Sequence, residues 1–87
     1  MKIKSDYVLR EIGDQFVVVP INEEAIKFNG IITLNKSGKV LYNTLQNDVT
    51  ESDLVKSLLD VYEVSEEKAN EDVKNFINIL KEKNLLE

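Results

Sequence analysis

The sequence predicts an α+β fold in which three antiparallel strands precede three α-helices, within a single domain over residues 1–87. Two patterns predict this order. Short apolar runs separated by turn residues fill the first third of the chain, and apolar residues spaced three or four apart fill the remainder. Near Asn35 the spacing of apolar residues changes from the two-residue period of strands to the 3.6-residue period of helices. Strands and helices are therefore segregated along the chain, which is typical of the α+β class.

Two apolar runs around a tight turn predict a β-hairpin. Residues 7–12 and 15–20 flank Gly13-Asp14, a dipeptide that favours two-residue hairpin turns. The second run contains Phe16-Val-Val-Val19 and lacks the alternation of a half-buried strand, so we expect it to be central and buried on both faces. Pro20 ends this run because proline cannot donate to a strand ladder.

A third strand is predicted over residues 31–34, after a charged connection over 21–29 and an Asn29-Gly30 turn. It should pair with the second strand and leave its outer edge unpaired. Natural edge strands are usually guarded by proline, lysine or an inward charge, and Ile31-Ile-Thr-Leu34 has none of these. The edge is therefore either covered by the fold or open to a partner.

Three helices are predicted over about residues 37–46, 51–62 and 66–84. Thr50-Glu-Ser-Asp53 resembles a capping box, and Ser65 is a favourable N-cap before an acidic first turn. The residues that we expect to face the core or to close it are Val40, Leu41, Tyr42, Leu45, Leu54, Val55, Leu58, Leu59, Val61, Tyr62, Ala69, Val73, Phe76, Ile77, Leu80, Leu85 and Leu86.

The composition narrows the possible chemistry. The chain has no His, Cys or Trp, which removes His/Cys metal sites, the usual general base near neutral pH and cysteine nucleophiles. Its glycines form no phosphate-binding loop. The four carboxylates within residues 66–72 lack the alternating spacing of a calcium loop and suit a solvated helix N-terminus. We therefore expect no enzymatic activity, no metal and no cofactor.

Charge and hydropathy bear on partners and location. The net charge is −5, with 11 basic residues dispersed among 16 acidic ones, which disfavours binding to nucleic acid. No apolar run approaches the ~20 residues that a membrane span needs. With no cysteine and no signal peptide, a cytoplasmic protein that does not bind membranes is the expectation.

One apolar residue of the third helix falls outside its core stripe. At 100° per residue, Ile79 lies well away from the centre of that stripe, on the same flank as Asp72, Asn75 and Lys83. This placement suits either a groove wall or a peripheral core contact. Beside an unguarded strand edge it favours β-augmentation, in which an extended peptide adds a strand and pockets for its side chains confer specificity.

Two other functions are alternatives. The second and third helices can form a helix-turn-helix, so the fold is winged-helix-like and a DNA-binding regulator is the rival hypothesis. The acidic first turn of the third helix would then meet DNA phosphates, which disfavours this reading. The other alternative is a structural subunit that stays bound to a larger enzyme.

Six segments follow one another in a characteristic order. They are Tyr7-Val-Leu-Arg-Glu-Ile12, Phe16-Val-Val-Val-Pro20, Ile32-Thr-Leu-Asn35, Val40-Leu-Tyr-Asn-Thr-Leu45, the Leu54 to Tyr62 helix and Asp72-Val-Lys-Asn-Phe-Ile-Asn-Ile-Leu80. This ordered set resembles the PqqD family of coenzyme PQQ synthesis protein D, the stand-alone form of the precursor-peptide recognition element for ribosomally synthesised, modified peptides. Tyr42 stands where the family leads us to expect Trp, and Asn84 where Gly often precedes the final Leu pair.

The resemblance implies a non-catalytic chaperone that binds the leader segment of a precursor peptide and presents it to a tailoring enzyme, often a radical SAM enzyme. The leader would add a strand along the third strand, under the third helix, and the main chain of residues 31–34 would supply the hydrogen bonds. The peptide-binding residues would be Ile31, Ile32, Thr33, Leu34, Asp72, Asn75, Phe76, Ile79 and Lys83. Members of the family serve PQQ biosynthesis, lasso peptides and other modified peptides, so the pathway stays open.

Overall fold

The computed structural model of the protein describes residues 1–22 and 32–87. In this part of the chain three strands are followed by three helices, which confirms the predicted α+β class. The elements are β1 (Tyr7–Ile12), β2 (Gln15–Pro20), β3 (Ile32–Leu34), α1 (Lys36–Thr44), α2 (Glu51–Val61) and α3 (Glu66–Glu82). The predicted first residue of the third strand, Ile31, lies outside the described residues.

The strands form an antiparallel sheet in the order β1-β2-β3. Gly13 adopts a φ of +64° in the β1–β2 turn, a conformation that glycine reaches without steric cost. In β2, consecutive residues Val17 and Val18 are both buried, although their side chains point to opposite faces of the sheet. The prediction of a central strand buried on both faces is confirmed.

The helices cover one face of this sheet and enclose the core. Ile32 and Leu34 of β3 are buried there, whereas Thr33 between them is exposed. The predicted helix stripes hold with two exceptions: Leu59 and Val61 remain 38% and 59% exposed. The buried residues of α2 define an apolar stripe along the helix. At 100° per residue, Leu59 and Val61 lie on opposite flanks of this stripe, so the elements that pack over its centre do not cover them.

Side-chain caps define where the helices begin. Asn35 Oδ1 accepts a hydrogen bond from the Gly38 N–H at 2.8 Å, and Ser65 Oγ accepts one from the Lys68 N–H at 3.1 Å. Thr50 and Asp53 form a reciprocal capping box, as predicted. All three helices end one or two residues before the predicted boundaries, because periodicity indicates a helical face better than its last turn.

The end of α3 is a Schellman motif. Asn84 has a φ of +60°, the Leu85 N–H donates to the Leu80 carbonyl at 2.9 Å, and the Asn84 N–H donates to the Lys81 carbonyl at 3.1 Å. Both Leu80 and Leu85 are fully buried, which supplies the apolar contact that accompanies this motif. The chain therefore turns back sharply after α3.

The segment after α3 pairs with the first residues of the chain. Ile3 and Leu86 form an antiparallel bridge, and the Lys4 N–H donates to the Leu85 carbonyl at 2.8 Å. Ile3 also donates its N–H to the Leu45 carbonyl at 3.0 Å, and its side chain is buried. This pairing ties the end of α1 to the end of α3, and the sequence pattern did not predict it.

Candidate functional site

The hydrogen bonding of the β1–β2 hairpin determines which way the main chain of β2 points. The Ile21 N–H donates to the Asp6 carbonyl at 2.8 Å, and these residues face each other one step beyond the paired strands. Facing pairs in an antiparallel ladder alternate between hydrogen-bonded and non-hydrogen-bonded. Counted from the hydrogen-bonded pair at Asp6, Val17 falls at a hydrogen-bonded step, so its main-chain groups point toward β1. Val18 falls at a non-hydrogen-bonded step, so its main-chain groups point away from β1 and toward β3.

The same alternation applies to β3. Val18 faces Ile32 and Phe16 faces Leu34, so the main-chain groups of Ile32 and Leu34 point toward β2. Thr33 lies between them, and its N–H and C=O therefore point to the outer edge of the sheet. Within the described residues no strand pairs with this edge. Thr33 consequently offers one donor and one acceptor to an additional strand.

A groove runs beside this edge, bounded by β3, the first turn of α1 and the exposed flank of α3. Its volume is about 670 Å³. The residues that line it are Thr33, Leu34, Asn35, Ser37, Gly38, Leu41, Lys68, Asp72, Asn75, Phe76 and Ile79. A volume of this size lies within the range of small-ligand pockets, and an open strand edge along one side suits an extended chain.

The floor of the groove is apolar and depends on a glycine. Leu34, Leu41 and Phe76 are buried members of the core that also line it. A Cβ at Gly38 would lie 3.2 Å from the Leu34 Cβ and 3.2 Å from Asn35 Oδ1, closer than ordinary contact. The missing side chain at Gly38 therefore lets the first turn of α1 pack directly on the end of β3.

The α3 wall of the groove combines an ion pair with an exposed apolar side chain. Lys68 Nζ lies 3.1 Å from Asp72 Oδ1, one turn apart on the helix. The hydrogen bond to Asp72 and the negative charges of Asp72 and Glu71 raise the pKa of the Lys68 amine above its usual value. Ile79 is 44% exposed, which agrees with its predicted position outside the core stripe.

The structure brings together most of the residues that the sequence singled out. Those that line the groove are Thr33, Leu34, Asp72, Asn75, Phe76 and Ile79. Ile32 is buried behind them, Lys83 is an exposed C-cap residue outside the lining, and Ile31 falls outside the described residues.

Sequence reasoning missed five lining residues, namely Asn35, Ser37, Gly38, Leu41 and Lys68. The spacing of Lys68, four residues before Asp72, places both on one helical face and was an available signal. Nothing in the local sequence indicated that α1 would approach β3 closely enough to contribute to the lining.

Other kinds of site find no support in the described part of the chain. No group of three or more acidic side chains there is arranged to hold a metal ion. None of the described helices is both long enough and apolar enough to cross a bilayer.

Comparisons with known proteins identify the family and the fold. The family model for coenzyme PQQ synthesis protein D (PqqD) matches residues 15–86. Among solved structures, the chain is similar to TbiB1 in complex with the TbiA(beta) leader peptide, with 23% identity, a TM-score of 0.77, and coverage of 100% of this chain and 95% of that one.

It is also similar to a lasso peptide synthetase B1 complexed with the leader peptide, with 17% identity, a TM-score of 0.72, and coverage of 97% of this chain and 93% of that one. At these identities the likeness concerns the fold. The comparison with curated proteins gives no match.

Proposed function

The chain belongs to the PqqD family, and from this premise we propose that it binds the leader segment of a ribosomally synthesised precursor peptide and presents it to a modifying enzyme. One observation carries the proposal: the outward main-chain groups of Thr33 lie beside a groove with an apolar floor. The two solved structures of similar fold both contain leader peptides, which supports the same reading.

Binding would proceed by antiparallel strand addition to β3. The leader would exchange two hydrogen bonds with Thr33, and its side chains would alternate between the two faces of the sheet. Side chains on the core face would enter the groove and contact Leu34, Phe76 and Ile79. Main-chain hydrogen bonds would then supply affinity for a peptide of any sequence, and contacts between its side chains and the groove would supply specificity.

We further infer a non-catalytic role in the cytoplasm. Precursor peptides leave the ribosome there, and the chain has no histidine or cysteine, the commonest general base and the most reactive side-chain nucleophile. The DNA-binding alternative is disfavoured because α3 begins with the exposed carboxylates of Glu66 and Glu67. These would face phosphates if the helix entered a major groove by its N-terminal end.

Selection from a displayed library of random linear peptides tests the proposal without knowledge of the natural leader. The protein should enrich peptides with an alternating apolar pattern. Thr33→Pro should weaken binding of an enriched peptide roughly tenfold, because proline removes the outward N–H and crowds the edge. The ladder to β2 should survive, since Thr33 donates nothing to it.

Thr33→Val is the matched control, because it changes the side chain and keeps the N–H. It should bind the enriched peptide with unchanged affinity. Calorimetry would give the affinities, and circular dichroism would show whether each variant stays folded. Failure to enrich any peptide, or equal binding by a folded Thr33→Pro variant, would refute strand addition.

A further inference from the structure

A second cavity lies next to the groove, beyond the end of β3. Its volume is about 420 Å³, and Asn35, Ser37 and Asp72 line both cavities. These three residues therefore form a shared rim. The remainder of the lining consists of Lys36 at the start of α1 and of three largely apolar side chains from the end of α2 and the connection to α3, Leu58, Tyr62 and Val64.

The apolar side of this cavity is only partly covered by the fold. Leu58 is fully buried and forms part of the core, Tyr62 is half-buried against that core, and Val64 is 40% exposed. An engineered apolar cavity of about 150 Å³ admits benzene, so the space here is ample for one aromatic or branched aliphatic side chain. Covering these groups would remove apolar surface from water, which favours an apolar occupant.

We propose that this second cavity receives an apolar side chain of the leader peptide, from a residue N-terminal to the segment that pairs with β3. The inference rests on the proposed function and adds a second, separate subsite to it. Continuity is the first reason: Asn35, Ser37 and Asp72 line both cavities, so a peptide in the groove that extends past Asn35 meets the second cavity next.

Chain polarity determines which part of the peptide crosses the rim. β3 runs from Ile32 to Leu34, and Asn35 follows directly. A strand added antiparallel to β3 runs the other way, so its residues near Asn35 precede those beside Ile32. The residue opposite Asn35 lies two positions before the one that pairs with Thr33. The apolar residue should therefore lie two or more positions N-terminal to that pair.

The chemistry of the rim is compatible with a crossing main chain. The Asp72 carboxylate and the Ser37 hydroxyl are polar groups at the boundary, where peptide N–H and C=O groups would otherwise lose water. The apolar regions on the two sides of the rim then suit two apolar side chains of the peptide, separated by a segment that crosses the polar rim. A leader with apolar residues at both places would bind more tightly than one with the groove anchor alone.

The matched pair Val64→Lys and Val61→Lys tests this subsite. Both valines are exposed, but Val64 lines the second cavity and Val61 lines neither cavity. Peptides enriched by the unmodified protein should share an apolar residue on the N-terminal side of the paired segment. Val64→Lys should weaken their binding about tenfold and abolish the preference at that position in a new selection, while Val61→Lys should do neither.

Disulfide trapping gives the register independently, because the chain contains no cysteine. A Val64→Cys variant should trap an enriched peptide that carries its single cysteine N-terminal to the paired segment. Trapping only by cysteines C-terminal to that segment would overturn the inference.

The outcomes separate this inference from the proposed function. If no peptide is enriched, the proposed function fails and the subsite fails with it. If binding depends on the Thr33 N–H but is indifferent to Val64→Lys, peptide binding stands and the second cavity is not a leader subsite. In that case a surface for the modifying enzyme becomes the better reading of the cavity.

Discussion

Lys68 Nζ lies 3.1 Å from Asp72 Oδ1, so the wall between the two cavities carries a paired charge. Both side chains are partly exposed, and solvent screening leaves an i,i+4 pair of this kind with little effect on stability. Its effect on function should be larger than its effect on the fold, because Asp72 neutralises the one basic side chain that lines the groove within the described residues.

Asp72→Asn should therefore leave the melting temperature nearly unchanged and alter peptide preference. Lys68 would lose its partner and become available to an acidic residue of the bound peptide. We expect peptides with such a residue to gain about two- to fivefold in affinity at low salt, and to lose this gain as salt is added. Titrations at two salt concentrations would measure it. An affinity that is independent of salt would show that Lys68 does not face the peptide.

Ile79→Ala should separate binding from folding. Ile79 is 44% exposed on the groove wall, so its truncation should lower the free energy of unfolding by less than about 1 kcal/mol. If it contacts an apolar leader residue, binding of an enriched peptide should weaken about tenfold. Leu80→Ala is the control, because Leu80 is 1% exposed and its truncation should cost about 2–5 kcal/mol of stability.

Thermal melts and calorimetry on both variants would decide this prediction. A large loss of stability in Ile79→Ala with unchanged affinity would assign Ile79 to the core and leave the specificity of the groove to other residues.

Tyr42→Phe should stabilise the protein. The Tyr42 side chain is 3% exposed, and its hydroxyl has no hydrogen-bond partner among the described residues. The Gln46 side-chain amide donates to the Tyr42 carbonyl instead, at 3.2 Å. Removing a buried hydroxyl without a partner should raise the free energy of unfolding by about 1 kcal/mol and the melting temperature by roughly 4–8 °C. An unchanged or lower melting temperature would mean that the hydroxyl has a partner in solution.

The same hydroxyl should make stability fall at alkaline pH. Burial raises the pKa of Tyr42 above its usual 10.0. Above pH 10 the unfolded chain ionises this group before the folded protein does, so unfolding is favoured as pH rises until the folded pKa is passed. As pH rises, the free energy of unfolding of Tyr42→Phe should fall less than that of the unmodified protein. Urea unfolding at several pH values above 9 would compare the two proteins directly.

Asn84 and Asn78 should respond to alanine with opposite signs. Asn84 holds a φ of +60° after α3, where a Cβ-bearing residue without a short polar side chain is strained, so Asn84→Ala should cost about 1 kcal/mol. Asn78 is exposed within α3, so Asn78→Ala should add about 0.5 kcal/mol through helix propensity. Urea unfolding of both variants would measure the difference. Equal signs would argue against the Schellman geometry in solution.

Local patterns predicted the elements and much of the groove wall. The positions of Asp72, Asn75 and Ile79 follow from the helical period alone, because residues three, four and seven apart share a face in any α-helix. The N-caps at Thr50 and Ser65 were equally readable, since each cap bonds within its own first turn. Leu59 and Val61 were predicted wrongly because the period indicates a stripe but not how wide a stripe its neighbours cover.

The order of strands and helices, the unguarded edge and the flank of α3 could be read from the sequence, because each is encoded over a few neighbouring residues. The outward direction of the Thr33 main chain could not be read in this way, since it depends on the register of β3 with β2. The close packing of Gly38 on Leu34 and the second cavity beside Val64 likewise became known only from the folded structure. These features arise where elements distant along the chain pack together. The local spacing of apolar residues does not specify how closely, or in what register, those elements pack.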